Sequence, residues 1–159
     1  ASGYSGDSGL AVAAQLNGPA ALAFDPAGNL FIAQLSDSRV RMVNTSGVIT
    51  TVAGTGANGY LGEGLPAVAS QLAGPTGVAA DGKGNVFISV AGNRVMQVFP
   101  NGTMSTLVGN GVPGYNDGLA TTGLVNIPAG LAIDSSGNIY LADSANNAVR
   151  MLSSVKAVQ

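Results

Sequence analysis

GPTGVAADGKGNVFI, Gly74 to Ile88, reads as two short strands joined by one tight turn. Apolar and branched residues flank a D-x-x-G-N core on both sides, the pattern of a hairpin rather than of a helix. Asp81 is expected to close the first strand by accepting bonds from nearby backbone amides, with Gly84 supplying the left-handed conformation that reverses the chain. The stretch has two relatives in the same chain: ALAFDPAGNLFIA ends at Ala33 and GLAIDSSGNIYLA at Ala142. Each is preceded by a Tyr-containing segment. GYSGDSGLAVAAQLNGP at Gly3 to Pro19 returns as GYLGEGLPAVASQLAGP at Gly59 to Pro75 and, more loosely, as GYNDGLATTGLVNIP at Gly114 to Pro128. Tyr4, Tyr60 and Tyr115 stand 56 and 55 residues apart, and a fixed period of that size marks a repeat architecture.

After each hairpin come RVRMV, RVMQV and AVRML, followed in the first two units by VITTVAGTG and MSTLVGNG. The first unit therefore offers four short apolar runs, Leu22 to Phe24, Leu30 to Ala33, Val40 to Val43 and Val48 to Ala53, separated by turn residues. Four antiparallel strands joined by tight turns describe one blade of a β-propeller. The expected fold is all-β, with three four-stranded blades over residues 1–56, 57–111 and 112–159. The last is shortened, with Ser153 and Ser154 in place of a glycine turn and VKAVQ as its fourth strand. The expected core is Leu22, Phe24, Leu30, Ile32, Val78, Val86, Ile88, Leu131, Ile133, Ile139 and Leu141.

Gly74 to Ile88, with Asn93-Arg94-Val95 and a T-x-x-G ending behind it, resembles the NHL repeat. Three registered copies extend the resemblance over almost the whole chain. It implies a propeller, usually closed as a ring of six blades, of which three blades are half.

Composition narrows the partners. Of 159 residues only 9% are charged and 46% are hydrophobic, against roughly a quarter charged in an ordinary globular domain. An exterior with so few charges is expected to be covered in part by an assembly or by glycan. The net charge of −2 gives no basic patch for nucleic acid. Gly, Asn, Asp and Pro interrupt every apolar run, which argues against a membrane span. The chain has no cysteine, so it has no disulfide framework and no thiolate metal site. Its Ala-Ser start, with no initiator Met, fits a mature secreted form or an excerpt of something longer.

Several motifs suggest chemistry. SGDSG, Ser5 to Gly9, looks like the loop that presents a protease serine, but a serine triad needs a base and the chain has no histidine. The second and third copies carry Glu63 and Asp117 without the serine. The expected role is a glycine-rich connector from the outer strand of one blade to the inner strand of the next, with a short helical turn over the junction. Asp25, Gly28 and Asn29, with Asp81, Gly84 and Asn85 and with Asp134, Gly137 and Asn138, are expected to be structural turn residues. The alternative, a calcium site, lacks the further carboxylates of an EF-hand loop. Asp143, near Asn146 and Asn147, is an isolated acid, with Gln34 and Ser89 taken as its uncharged equivalents, which disfavours a threefold-repeated metal site. Arg39, Arg41, Arg94 and Arg150 lie on third strands and are expected to be solvated or to link blades. Asn44-Thr45-Ser46 and Asn101-Gly102-Thr103 are N-glycosylation sequons, placed in the turns between third and fourth strands.

No catalytic residue, cofactor or metal is expected, calcium being the one ion left open. An arc of three blades leaves a flat face at either end. A second copy closing a ring, a filament, or further blades of a longer chain would cover them. The expected role is a non-enzymatic, secreted scaffold that assembles with itself or binds protein or glycan. The resemblance also admits two alternatives: a calcium-dependent lyase or hydrolase with its site in the channel, or the ligand-sensing domain of a larger protein. A zinc-dependent lyase would need histidines, and the chain has none.

Overall fold

The structure is a computed structural model and describes residues 3–117 and 122–152. The first unit forms strands β1 (Pro19–Phe24), β2 (Leu30–Gln34), β3 (Arg39–Val43) and β4 (Ile49–Ala53). The second forms β5 (Pro75–Ala80), β6 (Val86–Val90), β7 (Arg94–Val98) and β8 (Met104–Val108), and the third β9 (Pro128–Ile133), β10 (Ile139–Asp143) and β11 (Ala148–Leu152). Each unit is one antiparallel meander in sequence order, β1-β2-β3-β4, β5-β6-β7-β8 and β9-β10-β11. The all-β propeller architecture read from the sequence is therefore present. The VKAVQ segment, expected as the fourth strand of the last blade, lies outside the described residues.

The three units keep one register. Leu22 faces Ile32, Val78 faces Ile88, and Leu131 faces Leu141. Each first pair also shifts register at the same place, just after Pro19 and Pro75 and opposite Asp143. Such bulges add local twist to short strands. The innermost strands β1, β5 and β9 lie side by side, so the sheets fan out from a common inner edge.

Side chains alternate along each strand, so every blade has a leading face toward its predecessor and a trailing face toward its successor. Phe31, Ala33 and Val40 on the trailing face of the first blade pack with Val78, Val86, Ile88, Met96 and Val98 on the leading face of the second. Phe87, Val95 and Leu107 of the second blade pack in the same way with Ile139, Leu141 and Leu152 of the third. These two junctions are the core. Ile32, Val78, Val86, Ile88, Ile139 and Leu141 are buried as expected, and Leu30, Leu131 and Ile133 are half-buried. Leu22 and Phe24 are a correction: they are 65% and 69% exposed. They sit on the leading face of the first blade, which no other blade covers among the described residues.

The connectors do more than carry the chain onward. Ser8 N–H donates to Ile49 O, Ile49 N–H to Gly9 O, and Ala11 N–H to Gly47 O. One repeat later Gly64 N–H donates to Met104 O, Met104 N–H to Leu65 O, and Ala67 N–H to Gly102 O. Each of these two connectors thus pairs with the outermost strand of the blade it precedes and supplies partners for backbone groups that an edge strand would leave open. Each then makes one turn of 3-10 helix, Ala11–Ala13 or Ala67–Ala69. Ala67 and Leu72 enter the first junction.

Gly77 on β5 is required by the second junction. A Cβ there would collide with the Ala129 carbonyl of β9 and with Ser89 Oγ. The Gly77→Ala variant should lose about 1–3 kcal/mol of stability through overpacking against backbone that cannot yield, read as a lower midpoint in urea unfolding.

Candidate functional site

The D-x-x-G-N turns gather at one end of the arc. Asp25 accepts the Asn29 N–H at 2.9 Å and its Nδ2 at 2.7 Å. Asp81 holds Asn85 at 2.8 and 2.7 Å, and Asp134 holds Asn138 at 2.9 and 2.8 Å. Both oxygens of each carboxylate are engaged within the turn, while Gly28, Gly84 and Gly137 adopt φ of +89°, +86° and +86°, conformations that favour glycine. The sequon turns lie at the same end, with Gly28 beside Thr45 and Gly84 beside Pro100. Asn44 Oδ1 accepts from Ser46 and Val48 N–H, and Asn101 Oδ1 from Thr103 N–H and Oγ1. The three D-x-x-G-N turns border an open groove of about 1110 Å³, which Phe24, Lys83, Phe87, Gln97 and Phe99 also line.

A second polar set ties each connector to its own blade. Tyr4 lies under the Arg39 guanidinium at 3.7 Å and that of Arg41 at 4.8 Å. Tyr60 pairs with Arg94 at 4.2 Å and Tyr115 with Arg150 at 5.2 Å. Tyr4 hydroxyl donates to Asp7, which also accepts from Thr51 Oγ1 at 2.7 Å and Arg41 Nη2 at 2.6 Å. Glu63 accepts from the Thr106 N–H and hydroxyl, and Asp117 pairs with Arg150 at 2.9 Å. SGDSG belongs to this set: Ser8 N–H donates to β4, Ser5 Oγ accepts from Gln15 N–H, and Asp7 meets Arg41. The arginines are not free surface cations. Arg41 is wholly buried, and Arg39, Arg94 and Arg150 donate to the backbone of the chain between blades.

Asp143 is buried in the second junction, where it accepts from Asn126 N–H at 2.7 Å, Asn146 Nδ2 at 2.8 Å and Arg150 Nη1 at 3.2 Å. Its equivalents need correction. Pro128 faces Asp143, Pro19 faces Gln34, and Pro75 faces Val90, so Val90 rather than Ser89 is the counterpart in the second blade. The third-strand position two residues beyond the strand start reads Arg41, Met96 and Arg150. The pair thus appears once as an ion pair, once as two apolar side chains, and once as Gln34 with Arg41. Among the described residues no three His, Cys, Asp or Glu side chains are grouped to hold a metal ion.

These bonds set the titration. Burial pulls the Asp7 carboxyl upward, but the hydroxyls of Thr51 and Tyr4 and the Arg41 guanidinium outweigh it and hold it below the ordinary value. In Asp25 burial again acts upward and is outweighed by the Asn29 side chain and turn amides. The Asn138 side chain and amide hold Asp134 down, and the neighbouring Asp134 carboxylate in turn holds the Tyr140 phenol up.

Residues 125–151 match the NHL repeat. The resemblance drawn from the second unit therefore extends to the third blade, β9 to β11 with the residues just before them. The protein Suppressor of quenching 1, chloroplastic, of Arabidopsis thaliana is 30% identical over 80 residues, 49% of this chain and 8% of that protein. Among solved structures, a Bacteroides thetaiotaomicron protein of unknown function aligns with TM-score 0.69 at 23% identity over 78% of this chain and 32% of its own. An auxiliary nutrient binding protein from the same organism aligns at TM-score 0.67 and 17% identity, over 83% and 36%. Virginiamycin B lyase of Staphylococcus aureus aligns at TM-score 0.58 and 15% identity, over 87% and 39%. These likenesses show the fold. The chain spans well under half the length of each of these proteins.

Asp7, Asp25 and Asp134 have folded-state pKa values below the ordinary 3.8. Their contribution is fully present above the unfolded value and is lost as pH falls through the folded one. Melting temperature should be flat with respect to these groups from neutral pH to about 5 and fall below about 4, and thermal melts across that range measure it.

Proposed function

We propose that the chain is a non-enzymatic NHL-type propeller scaffold that works outside the cell by binding, taking its own kind, protein or glycan as partner. The observation that carries this reading is the use made of the repeated carboxylates. Asp25, Asp81 and Asp134 are held on both oxygens within their turns, and Asp7, Glu63 and Asp117 fasten connectors to blades. An acid–base or calcium-assisted reaction needs carboxylates free to move protons or to ligate. Binding needs only the surfaces that remain, the turn-end groove and the open blade faces. The sequon asparagines Asn44 and Asn101 lie in turns at the sheet ends, where a glycan would be accommodated in the secreted form.

The names of similar structures support a binding role in one case and a lyase in another. A catalytically inactive histidine-to-alanine variant of virginiamycin B lyase is among them, and this chain contains no histidine. The enzymatic alternative is a calcium-dependent reaction at Asp and Asn. Thermal melts of the purified chain with added calcium and with a chelator separate the two readings. The scaffold should melt at one temperature in both; a loss of stability on chelation, with stoichiometric calcium in the untreated protein, would contradict it.

A further inference from the structure

The turn between the second and third strands is built alike in the first and third blades. Each makes a short 3-10 turn, Leu35–Asp37 or Ser144–Asn146, and ends on a left-handed residue, Ser38 or Asn147. Register on either side also matches, with Gln34 facing Arg39 and Asp143 facing Ala148. Gln34, Asp37 and Arg41 therefore stand where Asp143, Asn146 and Arg150 do. In the third blade those side chains close on one another: Asn146 Nδ2 donates to Asp143 Oδ2 at 2.8 Å, and Arg150 Nη1 to the same oxygen at 3.2 Å. In the second blade the first and last of the three positions are Val90 and Met96, which are buried and need no polar partner.

The first blade does neither. Gln34 Nε2 and Oε1, Asp37 Oδ2, and Arg41 Nε and Nη1 are buried, and none has a hydrogen-bond partner among the described residues. Gln34 and Arg41 are both at 0% exposure. The connector closes over the arginine: Arg41 Nη2 donates to Ser5 O and to Asp7, and the guanidinium lies over the Tyr4 ring. At that burial neither bulk solvent nor a further blade reaches these two side chains from the surface. A buried polar group without a partner is costly. Five such atoms at three adjoining positions mark a site that a small guest completes.

The chemistry of the five atoms selects the guest. Arg41 Nε and Nη1 and Gln34 Nε2 donate, while Gln34 Oε1 and Asp37 Oδ2 accept. Turning the Gln34 amide over exchanges its two atoms and leaves the tally unchanged. The charges are already balanced, Arg41 by Asp7 and Arg39 by Asp37. A halide or a carboxylate would bring an unpaired charge into the interior and has no proton to give to Asp37. The fitting guest is small, uncharged and able both to donate and to accept, the description of a buried water.

We infer that the first blade encloses a water site, in which at least one long-lived water joins Gln34 to Arg41 and Asp37 in place of the direct bonds made by Asp143, Asn146 and Arg150. The three blades then seal one position in three ways, by bound water, by apolar packing and by an ion pair. The inference is independent of the scaffold reading, because an enclosed water neither recruits a partner nor excludes one.

Oxygen-17 magnetic relaxation dispersion counts the waters held inside a protein in solution, and two variants install the solutions of the other blades. Gln34→Asp with Asp37→Asn gives Arg41 the partners that Arg150 has. Gln34→Val with Arg41→Met gives the apolar pair of the second blade, leaving Asp7 its Tyr4 and Thr51 partners. Each variant should keep a cooperative melt and lose at least one long-lived water relative to the unmodified chain. A crystal of the unmodified chain should show an ordered water within hydrogen-bond distance of the Gln34 amide and of Arg41 Nε or Nη1. An unchanged water count in either folded variant, a direct bond between Gln34 and Arg41 with no water beside it, or an anomalous bromide peak at Arg41 after soaking overturns the inference.

Discussion

A four-stranded sheet of strands five or six residues long has two faces and no interior. Burial of apolar area is the main favourable term in folding, so a blade of this size is stable only when another blade covers at least one face. Everything else in the molecule follows from that constraint. The second strand alternates Val86, Ile88 and Val90 toward one neighbour with Phe87 and Ser89 toward the other. The inner strands approach closely enough at Gly77 that no side chain fits between them, and Thr76 and Ser89 hydroxyls reach the β9 backbone across the same gap. The junction is therefore both an apolar layer and a short line of hydrogen bonds at its inner edge.

The outer edge is governed by a different requirement, satisfaction of backbone groups. Each of the first two connectors pairs with the last strand of its blade through the same three bonds, to Ile49 and Gly47 or to Met104 and Gly102. A tyrosine and an acid then fix it from the side. The three blades solve that fixing with different residues. Asp7 uses Arg41 and Thr51, Glu63 uses Thr106 alone, and Asp117 uses Arg150. Tyr60 stacks on Arg94, whereas Tyr115 stacks on Arg150, one alternate position further along the strand, because Ala148 stands where Arg94 does. The stacking is kept while its donor moves.

Strand positions were legible because each apolar run is short and bounded by turn residues, and the D-x-x-G-N hairpin fixes register on both sides of it. What alternation does not convey is whether a face has a neighbour. Leu22 and Phe24 follow the same pattern as Val78 and Ala80, yet only the latter are buried. The counterpart of Asp143 and Gln34 in the second blade is Val90 rather than Ser89, and the sequence itself carries that match, since each stands five residues beyond the asparagine of its D-x-x-G-N turn. The tyrosine–arginine stacks were missed altogether. The signal was present, since Tyr4, Tyr60 and Arg39, Arg94 recur with nearly one period, but it links residues some 35 positions apart, and only folding of the connector back onto its own blade brings them together.

The central claim is that the blades are locked to one another at the inner edge in this register. Nuclear Overhauser contacts between Gly77 and the Ala129–Gly130 segment test it most directly, measured beside contacts within a blade such as Val78 to Ile88. Strong contacts of both kinds are the expected result. Intact contacts within the blades with none between Gly77 and β9 would show that the sheets fold without joining, and would contradict it.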